Sequence, residues 1–413
     1  LKGFITMAGT ESAPVTVGGT LGIARHSSAG MVTVGAGARV RGADLVIGAH
    51  NQNVTADLSY SAGKSGTAGF EGIAAYLGGE GMSRITIDRS AALLAKDRYN
   101  GPYAGALKST ANTVLTNLAG AAAWSQGAAS VGAAGAVTDY DLANKILLGG
   151  TYEGHSLDVN ALTLSTLGIV TKNDTETLIR EGALGARAIT VDQGAQFEIA
   201  RKLNLFGGKV SVADGVVFNL NDVPNPQESM LEIVAAKELH WIFGADNDSD
   251  LSKWTMERGN TVDFHGTVNA LSTGKDAEIS ILGYAVNADR AHIDGDRAEV
   301  SLAAWTKLTS DDRNNAPVKT TKIELSPENV VRADGLNIRE KKSTEIRGGK
   351  VELKNSTINS ARLDITAHKS FNTEGDMDRS SERQAMTATA DNSVTLDNVT
   401  INGMTPQHGG YHW

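Results

Sequence analysis

"VELKNSTINSARLDIT" (351–366) alternates apolar and polar residues, but only in short runs that break after "LK" and again after "IN". "SVTLDNVTIN" (393–402) repeats the pattern around an Asp-Asn break. Alternation with period two marks strands, and Asn, Asp and Ser at the breaks supply turns. Read as one turn of a solenoid, the breaks are corners between consecutive walls of a coil. Asp364 then lies in the strand that ends a coil, and Asp397 opens an Asp-Asn corner. Neither acid is read as catalytic.

Similar runs recur outward from this stretch: "MVTVGAG" (31–37), "SRITIDR" (83–89), "SLDVNALTLS" (156–165), "KVSVADGVVFNL" (209–220) and "AEISILGYAV" (277–286). The spacers are Gly, Asn, Asp and Ala-Gly pairs, and strand-flanked Asn-Gly or Asp-Gly hairpin signals are few. The expectation is an all-β chain, a right-handed parallel β-helix (solenoid) with short helical or loop insertions. Residues 1–413 are read as one elongated segment of a longer chain, with irregular insertions near 97–125 and 223–260. Within the latter, "NPQESMLEIVAAKELHWIF" (225–243) has spacing compatible with an amphipathic helix led by Asn225 or Ser229. The polar stretches 305–325 and 370–392 read as loops leaving the coil. At about 4.8 Å per rung and roughly 20–25 residues per coil, the expected rod is on the order of 80–95 Å long.

Internal similarity supports a repeat. "GAVTDYDLANKIL" (135–147) aligns with "GIVTKNDTETLI" (168–179), setting Val137 with Val170 and Ile146 with Ile179. "YAVNADRAHIDGD" (284–296) is a third relative, with Val286 and Ile293 in those places. "AAYLGGEGMSRITI" (74–87) is a fourth, setting Tyr76 with Val137 and Ile85 with Ile146.

Composition agrees. The chain has 413 residues with 46 Gly, 7 Pro and only 5% aromatics, which suits a narrow core of stacked small residues. It has no Cys, so disulfides, thiolate chemistry and Cys-based metal sites are excluded. A net charge of −9 without a basic run argues against nucleic acid as a partner. No apolar run has the length of a membrane helix.

The Val-x-Asn/Asp-x-Asp/Thr-x-Ala-x-Ile phrase, preceded by "QGAASVGAAGAV" (126–137) and followed by a Gly turn and a strand, resembles the repeats of leukotoxin-type filamentous adhesins. More broadly it is similar to haemagglutinin-like large exoproteins of Gram-negative bacteria, exported by two-partner secretion or as autotransporter passengers. The resemblance implies a secreted or cell-surface fibre that mediates attachment and has no catalytic activity. Its partners would be host-cell or bacterial surface receptors or glycans, neighbouring copies of the fibre, and an outer-membrane transporter during export. The other readings are a β-helical polysaccharide-degrading enzyme or tail-spike, and a cytotoxic exoprotein.

"DNDSDLSKWTME", Asp246 to Glu257, matches the acid spacing of a calcium loop, but Leu251 stands where the sharp turn needs Gly, and Lys253 adds a positive charge. It is read as a surface turn, with calcium as its one cofactor candidate. Asp311, Asp312 and His265 are read as turn and strand-surface residues, since polygalacturonase signatures are missing. His408 and His412 form a close pair read as chain end. Asn53, Asn173, Asn247, Asn355 and Asn398 stand in N-x-[ST] sequons, residues that solenoid corners use anyway. No catalytic, cofactor-binding or metal residue is assigned.

Overall fold

Lys350–Lys354, Thr357–Ser360 and Leu363–Ala367 make one complete coil of the structure, a computed structural model. Each strand pairs in parallel with its counterpart in the coil below, Val330–Asp334, Asn337–Arg339 and Ser343–Gly348. The chain is therefore a three-walled parallel β-helix, and the opening stretch is its unit. The structure describes residues 2–95, 105–126, 129–171, 175–177, 187–220, 229–236, 256–271, 276–311, 320–324, 326–367, 370–373 and 392–405. No helix occurs among them.

Wall 1 runs through the ends of Lys2–Val34, Leu45–Ile87 and Ala129–Leu148. It continues through Arg187–Val191, Lys209–Val212, Thr261–Phe264, Ala285–Asn287, Val330–Asp334 and Lys350–Lys354 to Ser393–Asp397. Wall 2 stacks short strands from Arg39–Gly42 to Thr400–Gly403. Wall 3 runs from the start of Leu45–Ile87 to Leu363–Ala367. Ten wall 1 strands at about 4.8 Å per rung rise roughly 45–50 Å. The rod is shorter than its residue count suggests, because many residues widen coils instead of adding rungs.

Alternation places apolar side chains inward in rows. Ile189, Val210, Val262 and Val286 make one row of wall 1, and Leu205, Ile233, Ile281 and Leu302 one row of wall 3. All eight are fully buried. In wall 2 the row is aromatic: Tyr152 stacks on Phe197 at 4.7 Å and Phe197 on Phe218 at 4.8 Å, with ring planes nearly parallel. A parallel register forces identical rows one above another, so a ring on one rung favours a ring on the next.

The first coils are wide. Leu45 to Lys64 pairs with Leu107 to Gln126, and Ala68 to Ile87 with Ala129 to Leu148, so walls 3 and 1 both run on before the chain returns. That register pairs Tyr76 with Val137 and Ile85 with Ile146, as the sequence alignment has it. The alignment of Val137 with Val170 is not a stacking register, and Ile179 lies outside the described residues. Val170 pairs with Gly120 in the extended wall 3, and Ile146 stacks on Ile189. Val286 belongs to the wall 1 row containing Ile189, while Ile293 lies in wall 2. Similar phrases recur in different walls because every wall needs the same alternation.

The helix expected within 225–243 is replaced, where described, by the strand Ser229–Ala235. In its run "MLEIVA", Leu231 and Ile233 point into the lumen, while on the outward face Met230 and Glu232 are half-buried and Val234 packs in a second cluster. Apolar Met230 and Val234 on the outward face blur the alternation that would tell this strand from a helix. The ambiguous 97–125 segment likewise contains a strand, Ala106–Gln126.

Candidate functional site

The corner from wall 3 to the next wall 1 is where the coils differ. Three times it is one residue long: Gly208, Tyr284 and Gly349, following Gly207, Gly283 and Gly348. Alternating with these, the chain leaves the coil after Ala235, Ala304 and Ala367 and returns at Thr261, Val330 and Ser393. The three longest departures, 236–260, 305–329 and 368–392, use this corner, as do the widened N-terminal coils; the shorter connections 96–105 and 221–228 join wall 2 to wall 3. Loops set on a rigid scaffold are where binding function concentrates.

Each excursion ends on Asn: Asn260, Asn329 or Asn392 directly precedes wall 1. Asn260 Oδ1 accepts the Glu257 N–H at 2.8 Å, and its Nδ2 donates to Gly208 O at 2.8 Å. Asn329 Oδ1 accepts from the Ser326 N–H at 2.7 Å and the Thr306 hydroxyl at 2.9 Å, while its Nδ2 donates to Tyr284 O at 3.0 Å. Both side chains tie the returning chain to the tight corner below. Tight corners above lean on the same residues: Tyr284 N–H donates to Asn260 O at 2.8 Å, and Lys350 N–H to Asn329 O at 2.9 Å.

A second apolar cluster, outside the lumen, packs Val234, Ala236, Met256, Leu282, Ala303 and Trp305 at this corner, with Phe206 and Tyr284 against it. Met256 N–H donates to Thr306 O at 2.7 Å, joining the end of one excursion to the start of the next. Beyond it, Lys307–Asp311, Thr320–Glu324 and Ser370–Thr373 form an antiparallel three-stranded sheet from two successive excursions. Stretches expected to be loops therefore carry strands of their own.

Wall 2 presents a different surface. Its outward row runs Glu153, Glu198, Asn219, Asn269, Asp294, Arg339, Asn359, Asn402. Asn269 Nδ2 donates to Asn219 Oδ1 at 2.8 Å, Arg339 holds Asp294 with two bonds of 2.8 Å, and Asn402 Nδ2 donates to Asn359 Oδ1 at 2.7 Å. Stacked amides bond to one another along the rod, as in other parallel ladders.

The corner from wall 1 to wall 2 holds the acids of the opening stretches. Asp397 ends its strand, exposed, and Asn398 turns the corner at φ 52°. Asn398 Nδ2 donates to Asn355 Oδ1 at 2.8 Å, and Asn355 Nδ2 to Asp334 Oδ1 at 2.9 Å. Two of the sequon asparagines are thus ladder members. Arg89 reaches past the short corner Gly149-Gly150 to chelate Asp192, with its bond at 2.7 Å from Nη2, and the guanidinium holds that carboxyl below its ordinary range. At the corner from wall 2 to wall 3, burial pushes the Asp276 carboxyl up, but Lys342 and Arg297, each at 2.7 Å, more than offset it and leave it lowered. Glu340 is fully buried there, its carboxylate receiving the Lys342 N–H and the Thr344 and Ser360 hydroxyls.

Glu232, half-buried on wall 3, is the described acid raised by its surroundings: burial first, then Glu278 and Asp158, against Lys202. It stacks between Asn204 and Ser280. A raised carboxyl among acids is the chemistry a glycosidic acid needs. Sequence reading missed it, since "MLEIVA" was read as part of a helix and its acidic neighbours are remote in the chain.

The remaining sequence candidates disperse. His265 Nδ1 bonds the Asp289 carbonyl at 2.8 Å, a corner contact. Asp311 is in the lateral sheet opposite Thr320. Asp364 is an exposed wall 3 residue beside Glu345. Asn53 pairs with Leu115 in a widened coil. Of the calcium loop, Glu257 is described, in the Asn260 turn; Asp246 to Thr255, Asp312, His408, His412, Asn173 and Asn247 lie outside the described residues. Among the described residues, no group of three or more His, Asp or Glu is placed to hold a metal. The chain matches no family model, no curated protein and no solved structure.

Proposed function

We propose that the chain is a structural and binding segment of a secreted or cell-surface filamentous adhesin, without catalytic activity. One observation carries this reading: the three longest excursions leave the coil at a single corner, while the outward row of wall 2 is polar from Glu153 to Asn402, with bonds from Asn219 to Glu198, Asn269 to Asn219, Arg339 to Asp294 and Asn402 to Asn359. A rod decorated along one edge suits recognition by many weak contacts, and its stacked core provides length. The partners in this reading are surface receptors or glycans of host or bacterial cells. Saturable binding of the labelled chain to such cells, reduced when the cells are stripped of surface glycans or protein, is the expected result.

Glu232 favours a second reading, a β-helical polysaccharide-degrading enzyme or tail-spike. Incubation with a panel of bacterial and plant polysaccharides separates the two. Release of new chain ends by the wild-type chain, abolished in Glu232→Gln, would replace the adhesin reading with the enzymatic one.

A further inference from the structure

Two rows that line the lumen are otherwise apolar and each carries one hydroxyl. In wall 3, Ile47, Ser109, Val159, Leu205 and Ile233 stack on successive rungs. In wall 2 the row passes through Leu93, Tyr152, Phe197 and Phe218. The two hydroxyls fall one rung apart: Ser109 lies in the coil of Leu93, and Tyr152 in the next, the coil of Val159.

Both side chains are shut away from solvent, Tyr152 at 1% and Ser109 at 4% exposure. Neither Tyr152 Oη nor Ser109 Oγ has a hydrogen-bond partner in the protein. Burial pushes the Tyr152 phenol up, so it keeps its proton and must find an acceptor. A buried hydroxyl left without a partner is costly, and two such costs on neighbouring rungs point to one shared remedy.

The row of Ser109 also provides room. Its neighbours Ile47, Val159 and Leu205 fill the lumen with branched side chains, and serine is the smallest member of the set. Protein interiors are packed too densely to leave such a deficit unused. A water needs both space and at least two polar partners, and this place in the lumen offers both.

We propose that a water molecule is bound inside the lumen between Tyr152 and Ser109. The Tyr152 O–H donates to the water, and the water donates to Ser109 Oγ. This bridge ties wall 2 of one coil to wall 3 of its neighbour across the core. Stacked apolar rows look alike from one rung to the next, so a single polar link pins their register. Its position fits that task, because Tyr152 belongs to the last widened coil and Phe197 to the first that closes through the tight corner at Gly208. The inference does not depend on the adhesin reading.

Tyr152→Phe and Ser109→Ala each remove a hydroxyl without adding bulk. Each should lower the urea midpoint of the chain. The double variant should fall no further than the weaker single one, because either loss releases the same water. Magnetic relaxation dispersion of the solvent, which counts long-lived internal waters, should register one fewer in each variant than in wild type. A midpoint at or above that of wild type in either single variant would mean that its hydroxyl has no partner, and would overturn the proposal. So would additive losses, which require separate partners. A coupled loss with an unchanged water count would also overturn it, since the hydroxyls would then bond to each other directly.

Discussion

The corners after Gly283 and after Ala304 lie one rung apart on the same edge of the rod, yet one is a single residue and the other opens into an excursion. A methyl group separates them. A Cβ on Gly283 would stand 2.9 Å from Ala285 O and 3.2 Å from Asn260 O, and one on Gly348 would stand 2.8 Å from Lys350 O and 3.0 Å from Asn329 O. The tight corner thus needs glycine because the next strand starts against the residue that closed the excursion below. The methyls of Ala235 and Ala304 are fully buried without such conflict, because there the chain leaves the rung. Excursion and tight turn are therefore not independent features. Asn260 and Asn329 supply the carbonyls on which the following tight corners rest.

The comparison is broken most severely at Gly349, where an added Cβ would lie 1.7 Å from Ser326 O, inside the turn that Asn329 closes. Gly349→Ala should destabilise the chain by about 3 kcal/mol or more, as backbone overpacking does, read as a lower urea midpoint. Asn329→Ala removes three hydrogen bonds from a buried site and should cost about 2–3 kcal/mol; the same change at an outward ladder residue such as Asn402 should be scarcely measurable. Ala304→Gly tests the other corner. It should cost only about 1 kcal/mol, the ordinary penalty of glycine in a strand, and leave the excursion in place by hydrogen exchange.

The smallest effect is expected at a corner of neither kind. Asp276 is held below its ordinary value by Lys342 and Arg297. Its contribution to stability is present above the unfolded-state pKa and is lost as pH falls through the folded one. Wild type and Asp276→Asn should therefore differ at neutral pH and converge as pH drops below about 4. A gap that persisted at acid pH would mean that the carboxyl acts by shape and not by charge.

Much of this architecture was legible in the sequence. Period-two runs gave the strands, and "VELKNSTINSARLDIT" gave the corners, because Asn355 and Ser356 are turn residues wherever they occur. The widened-coil register was legible from Tyr76 and Ile85 because long strands carry enough residues to align. The strand at Ser229–Ala235 was not, since apolar Met230 and Val234 on its outward face blur its alternation. Nor was the alternation of corners, although its signs, Gly-x against Ala-x and Asn before wall 1, are printed in the sequence. Their meaning depends on which residue lies on the rung below, and only the register supplies that. The same holds for Glu232: its neighbours Glu278 and Asp158 are 46 and 74 residues away in the chain and come together only through stacking.

The bonds that Asn260 and Asn329 make to the tight corners on either side also have a mechanical consequence. Pulled from its ends, a parallel solenoid peels one strand layer at a time. Here Asn260 bonds Gly208 below and Tyr284 above, and Asn329 bonds Tyr284 below and Lys350 above, so five successive rungs of wall 1 are tied in series. That block should release as one unit under tension, seen in a force–extension trace as one long event among shorter single-rung ones. A rod built this way yields last at its middle.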